Sequence, residues 1–386
     1  MKAGWVCPIE RHCGIAFYAG AYVEALNPHV RVVCVDPSAI RSRGRESLRI
    51  LNECDIVHVQ YETALFIFGR HDIYSTLCRR LLRPLVVSLH EVYASAPGVF
   101  PREHVSGRGL PGALKRHIYD LRHPYVTALR AHRRRGFNAR AVLVHFRYQR
   151  AILQGQGMDP STIHVIPYPV RSPRSAGRFS LRNGETVHLA ATGFINPAYD
   201  YPLLLEALGK LRIPWRFTWI GGLRRDEDRP VLEAFGREIQ SRRLADKVEI
   251  TGWVSDRRRD EILGQCHVYC ALFRERSSSE SFATALSARR LIVAVSLPFI
   301  EELTADFGPL ALVADRDADS IARAIERIIT EPALRDTMYE SIDDCIRRNA
   351  FDVLAPRVAG LYHKFLGSTS GGEEAAGERI STGKPA

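Results

Sequence analysis

Residues 186–222 read TVHLAATGFINPAYDYPLLLEALGKLRIPWRFTWIGG. A short apolar run ends in Gly193, a Pro-bearing turn follows, leucines recur at helical spacing from Tyr201 to Leu211, and a second apolar run, RFTWI, ends in Gly221 and Gly222. Strand, glycine turn, helix, strand, glycine turn is the grammar of a βαβ unit. The near-continuous apolar content of the runs suits parallel strands covered on both faces. Toward the C-terminus the alternation continues through a helix around Pro230 to Arg242, KVEITGW, a short helix from Arg258, HVYCALF, a helix from Ser281 and LIVAVS, and Ala318 to Leu366 is helical in pattern. Toward the N-terminus, RSPRSAGRFSLRNGE has no apolar period and reads as a linker. Ahead of it stand AGWVC, an apolar-faced segment from Ile15 to Leu26, VRVVCV, DIVHV, PLVVSL, AVLVH and IHVIPYPV, a second series of the same kind.

The expected organisation is therefore α/β with two Rossmann-like, doubly wound domains facing a cleft. The first spans residues 1–170 and the linker 171–184. The second domain spans 185–348, a helix over 349–366 returns to the first domain, and 367–386, rich in Gly, Ser and Glu, has the composition of a disordered tail. A length of 386 residues suits two domains, and 46% hydrophobic residues supply two cores. No run approaches a membrane span, and MKAGWVCPIERHCG lacks the apolar core of a signal peptide. Eight cysteines scattered through apolar stretches read as buried thiols in a reducing compartment, so the expected location is cytoplasmic. The net charge of +11 is concentrated between Pro101 and Arg150, where twelve Lys or Arg face Glu103 and Asp120. That stretch reads as a surface for an anionic acceptor or for peripheral contact with an anionic membrane. No nucleic-acid motif accompanies it, and no nucleic acid is expected as a partner.

Open α/β sheets bind ligands beyond the carboxyl ends of their strands. In the first half those loops offer Gly14 and Gly20 beside a helix start, Gln60 and Glu62 after VHV, and His90 and Glu91 after VVSL. Backbone amides at a helix start meet phosphate, and an imidazole at a strand end meets a sugar hydroxyl. His58, inside the apolar alternation, reads as structural. In the second half they offer Gly193, the pair Gly221 and Gly222 followed by Arg224 and Arg225 as a diphosphate cradle, Trp253 and Val254 beside a base, and a serine-rich helix start at Ser279, Glu280 and Ser281. Ser279 and Glu280 also suit a plain helix cap. The spacing at Gly14 is not GxGxxG, which weakens a nicotinamide reading.

At these positions the chain resembles the family 4 retaining glycosyltransferases, of the GT-B fold. CGIAFYAGAYVEAL is similar to their first loop and helix, DIVHVQYE and VVSLHEV to their cleft strands, and IHVIPYPV to the strand before the hinge. GFINPAYDYPLLLEAL, VEITGWVSD and SSSESFATALSARRLIVAVSLPFIEEL are similar to their donor-side motifs, in the same order. The resemblance implies a metal-independent, retaining transfer of a hexose-type sugar from a nucleotide diphosphate donor to an acceptor hydroxyl of a glycan, lipid or small molecule. The nucleotide sugar is the substrate, and no cofactor is expected. It places Gly14 at the donor phosphate or sugar, His90 at the sugar, Trp253 and Val254 at the base, and Glu280 at the ribose or sugar. The chain departs from that family at the cations, with Phe194 for the usual Arg and Tyr199 and Asp200 where a Lys is usual. Thr284 stands for the second carboxylate and Arg289 for a common glycine. Arg224, Arg225, Arg274 and Arg276 are the candidates to replace the missing cations. The alternative is a catalytically silent GT-B protein that binds a sugar nucleotide or a partner enzyme.

Overall fold

The apolar runs become the strands of two six-stranded sheets, and every pairing within them is parallel. The computed structural model describes residues 1–9, 13–68, 71–94, 124–173, 177–178, 185–224 and 226–370. Arg225 and residues 101–123 of the basic stretch lie outside the described residues. The first sheet holds β1 (Lys2–Val6), β2 (Arg31–Val35), β3 (Ile56–Tyr61), β4 (Leu85–Leu89), β5 (Ala141–Val144) and β6 (Ile163–Val165) in the order β2-β1-β3-β4-β5-β6. The second holds β7 (Val187–Thr192), β8 (Trp215–Ile220), β9 (Val248–Ile250), β10 (Val268–Ala271), β11 (Leu291–Val295) and β12 (Leu312–Ala314) in the order β9-β8-β7-β10-β11-β12. Residues of β3, β4, β5, β7, β10 and β11 are buried throughout, because helices cover both faces. Strand β12 and a small hairpin, Ile67–Phe68 with His71–Asp72, were not legible in the apolar pattern because each is only two or three residues long.

Each sheet reverses its winding once, between β1 and β3 and between β7 and β10, and a doubly wound sheet opens its ligand crevice at such a point. Among the helices are α1 (Gly14–Leu26), α2 (Arg147–Gly155), α3 (Tyr201–Gly209), α4 (Asp256–Gln265), α5 (Glu280–Ser287) and α6 (Pro298–Phe307), and α1, α4 and α5 line the crevice between the sheets. Helix α7 (Pro332–Asn349) leads into α8 (Phe351–Ser370), which lies against α1. Tyr362 of α8 is fully buried; its hydroxyl accepts from Trp5 Nε1 at 3.1 Å and pairs with His58 Nδ1 at 2.5 Å, while His58 Nε2 meets Ser88 Oγ at 2.8 Å. Burial pushes the His58 imidazole down to about 3, so it is a neutral core residue.

The two halves are fastened beside the cleft. The first-turn amides of α2, Arg147 and Tyr148, donate to the Glu302 carboxylate of α6 at 2.7 and 3.0 Å, and the Arg147 guanidinium clasps Asp306 at 2.7 and 2.9 Å. A carboxylate at a helix N-terminus satisfies amides that have no partner within the helix. Arg147, counted with the basic stretch, is thus engaged by the opposite domain. The cysteines also differ in part from expectation: Cys34 is exposed on β2, an edge strand, and Cys78 is half-buried on the helix Ile73–Arg80.

Candidate active site

A cleft of about 770 Å³ lies between the halves, at the carboxyl ends of both sheets. Two helix N-termini meet in it. α1 begins at Gly14 and α5 at Glu280, and a Cβ placed on Gly14 would stand 3.1 Å from Glu280 Cβ, so any side chain there would press the two starts apart. Ser279 caps α5 by accepting from the Phe282 amide at 3.2 Å, and its hydroxyl also meets Ser281 Oγ at 2.9 Å. Ser279 is therefore a helix cap and a cleft residue at once. Unpaired amides and the helix dipole make each start favourable to negative charge.

The ends of β7, β8 and β9 come together just as tightly. Gly221 has φ +140°, and a Cβ there would fall 2.1 Å from the Gly193 carbonyl oxygen. Gly193 itself has φ +120° and lines the cleft beside Ser281. A side chain on Gly222 would press on Trp253 at 3.3 Å. Trp253 donates from Nε1 to the Leu223 carbonyl at 2.9 Å, stands edge-on to Phe194 with 5.2 Å between centroids, and keeps 43% of its surface exposed at the rim. Phe194, which stands where an arginine is usual in the resembled family, is also a seat for one: the Arg224 guanidinium lies 5.2 Å from its ring centroid. From there Arg224 Nη1 reaches across the cleft to 3.7 Å from Glu62 Oε1.

Burial sets the charge states. His90 is 4% exposed, has Gln60 Oε1 at 3.0 Å from Nε2, and is held well below the usual imidazole range by burial and by the nearby His145 and His58, so the ring is neutral. Glu280 is pushed up to about 7 by burial, against the Tyr168 hydroxyl that donates to it at 3.0 Å and the nearby Arg171 and Arg259. Glu91 is pushed up to about 8 by burial and then by the charge of Glu62, with Arg276 and Arg224 pulling the other way.

The structure thus gathers His90, Gly14, Gly193, Arg224, Trp253, Ser279, Glu280 and Ser281 around one cavity. Gly222 and Val254 are not in its lining: Gly222 supports Trp253 from behind, and Val254 packs on the core. Of the other candidate cations, Arg274 pairs with Asp200 at 3.1 Å, whereas Arg276 lines the cleft. Thr284 lines it too. Arg289 has φ +53° and pairs with Asp343 at 2.5 Å, which explains why a glycine suits that position. Sequence reasoning missed Tyr168, Arg171, Arg257 and Arg259. Tyr168 and Arg171 follow the last strand of the first half, and the arginines of α4 read as an ordinary solvated helix face. Among the described residues no three His, Cys, Asp or Glu side chains group so as to hold a metal ion.

Residues 187–331 match the family described as Glycosyl transferases group 1. No curated protein sequence matches the chain. Among solved structures, sucrose-phosphate synthase from Thermosynechococcus elongatus superposes with a TM-score of 0.69 at 14% identity, over 95% of this chain and 100% of that one. A glycosyltransferase from Rickettsia africae gives 0.64 at 13% over 95% and 98%, and Anabaena Alr3699/HepE in complex with UDP and glucose gives 0.63 at 13% over 95% and 100%. The shared architecture is the GT-B fold.

Proposed function

We propose that the chain is a glycosyltransferase that moves a hexose-type sugar from a nucleotide diphosphate donor to an acceptor hydroxyl, with retention and without a metal ion, in the making of a glycan, glycolipid or glycosylated metabolite. The observation that carries this is the meeting of two helix N-termini with Arg224 and Arg276 in one cleft at the switch points of both sheets. A departing diphosphate gains negative charge as the glycosidic bond breaks, and fixed amide dipoles and guanidinium groups already aimed at it need no reorganisation. In this reading Arg224, seated on Phe194, supplies the charge that an arginine at position 194 would have supplied. Gly14 and Gly193 let backbone approach the phosphates, Trp253 offers a ring to the base, and Ser279, Glu280 and Ser281 take ribose or sugar hydroxyls. Neutral His90 exchanges hydrogen bonds with the sugar.

A thermal-shift panel of nucleoside diphosphates and their sugars tests the donor site, since a ligand of the native state raises its apparent stability. UDP is the first to try, given the UDP-bound Anabaena neighbour. Glu280→Ala is expected to weaken donor binding by about 1–3 kcal/mol. A silent binding protein is the second reading, favoured by Thr284 where a second carboxylate is usual; release of nucleoside diphosphate in the presence of acceptor separates the two. No helix among the described residues is long and apolar enough to cross a membrane. Peripheral attachment through the basic stretch predicts flotation with anionic but not neutral vesicles, lost at high salt.

A further inference from the structure

Arg224 stands between two sets of anions. It leaves the end of β8 in the second domain, rests on Phe194, and meets Glu62 of the first domain at 3.7 Å, with the Glu62 side chain only 12% exposed. Glu62 and Glu91 belong together: Tyr61 of β3 and Leu89 of β4 are partners in register, so the two carboxyls follow neighbouring strand ends, and both line the first-domain wall of the cleft. The charge on Glu62 hinders ionisation of Glu91, and Arg224 and Arg276 relieve it. Arg224 is thus a shared countercharge of two carboxyls on one wall. On the glycosyltransferase reading, it is also the cation of the donor diphosphate. A diphosphate carries more charge than one carboxylate and offers oxygens that accept two guanidinium N–H groups at once, so it outcompetes Glu62 for the arginine.

We propose that Glu62 is a positioning residue that links the two substrates: the donor's diphosphate draws Arg224 off Glu62, and the Glu62 carboxylate, short of its cation, then receives a hydroxyl or ammonium group of the acceptor. The cleft accordingly fills in order, donor first, and favours a neutral or amine-bearing acceptor at this wall over an anionic one. The link is reciprocal, as any coupling between two binding equilibria must be. It rests on the donor site proposed above, and the test separates the two.

Calorimetric titration of the full chain with UDP, GDP and ADP at low salt reads the competition directly. For the nucleotide that binds best, Glu62→Gln is expected to tighten binding by about fivefold, the effect of freeing a partly buried arginine from one ion pair. Arg224→Ala is expected to loosen it, and the double variant to behave like Arg224→Ala alone, because without the arginine Glu62 has nothing to withhold. Unchanged or weaker binding by Glu62→Gln overturns the link and leaves the donor site standing. Tightening that persists in the Arg224→Ala background also overturns it, since the effect is then a general one of removing negative charge. Failure of all three nucleotides to bind the parent protein overturns the donor site, and the link with it.

Discussion

Replacing Glu280 by Gln separates the stability of the cleft from its use. Glu280 opens α5, accepts from Tyr168 and is pushed from an ordinary 4.5 up to about 7, chiefly by burial. A carboxyl whose folded value is raised opposes folding once the unfolded chain ionises freely, so the cost is absent below about 4.5, grows as the pH rises, and levels off above about 7. The full difference amounts to about 3 kcal/mol at pH 8. Part of the Glu280 surface stays open to the cleft, which lowers the expectation to about 2 kcal/mol. Glutamine keeps the shape and still accepts from Tyr168 but never ionises. Urea unfolding at pH 8 should therefore show Glu280→Gln more stable than the parent by about 2 kcal/mol, with the gap falling below about 1 kcal/mol at pH 5. The same variant should bind donor more weakly, the trade-off expected where a site holds a charge that the fold alone would not. Equal stability at pH 8, or a gap that ignores pH, would refute the reasoning.

Three further outcomes follow from named contacts. Tyr168→Phe removes the hydroxyl that favours the Glu280 carboxylate, so the decline of donor affinity on acidification, centred near 7 in the parent, should begin at higher pH; nucleotide titrations from pH 6 to 9 read this. Gly221→Ala puts a Cβ 2.1 Å from the Gly193 oxygen in a backbone conformation that disfavours side chains, and should lower unfolding free energy by about 3 kcal/mol or more, with loss of nucleotide binding. Tyr362→Phe strips His58 and Trp5 of a shared buried partner and should cost about 1–3 kcal/mol in thermal or urea unfolding while leaving the cleft residues in place.

The apolar runs and the glycines that end them carried the fold. A strand covered on both faces must be apolar along its whole length, and a strand-to-helix turn at a cleft needs a backbone free of a side chain, so VHLAATG, RFTWIGG and the CGIAF loop announced both sheets and their ligand edges directly. His90, Gly14 and Glu280 were legible for the same reason: each sits at the first residues past a strand or at a helix start, positions fixed by local sequence. His58 could be assigned to the core from its place inside a strand, although its partner Tyr362, about 300 residues away, could not.

What local sequence left open was every relation between segments distant along the chain. Phe194 read as a missing cation, and only the packed β7 and β8 loops made its ring the support of Arg224. Gly222 and Val254 read as ligand positions, whereas the packing turned one behind Trp253 and laid the other, half-buried, against the core. Arg147 read as surface charge, and the opposite domain claimed it for Glu302 and Asp306. The raised carboxyls of Glu91 and Glu280 depend on burial by walls from both halves, and the contact of Arg224 with Glu62 joins residues of different domains. The sequence by itself determined the elements, their order and the edges where ligands belong, because those follow from side-chain periodicity and backbone freedom over a few residues. Only the tertiary structure decided which charges face one another across the cleft, because desolvation and Coulomb energy depend on distance in space and not along the chain.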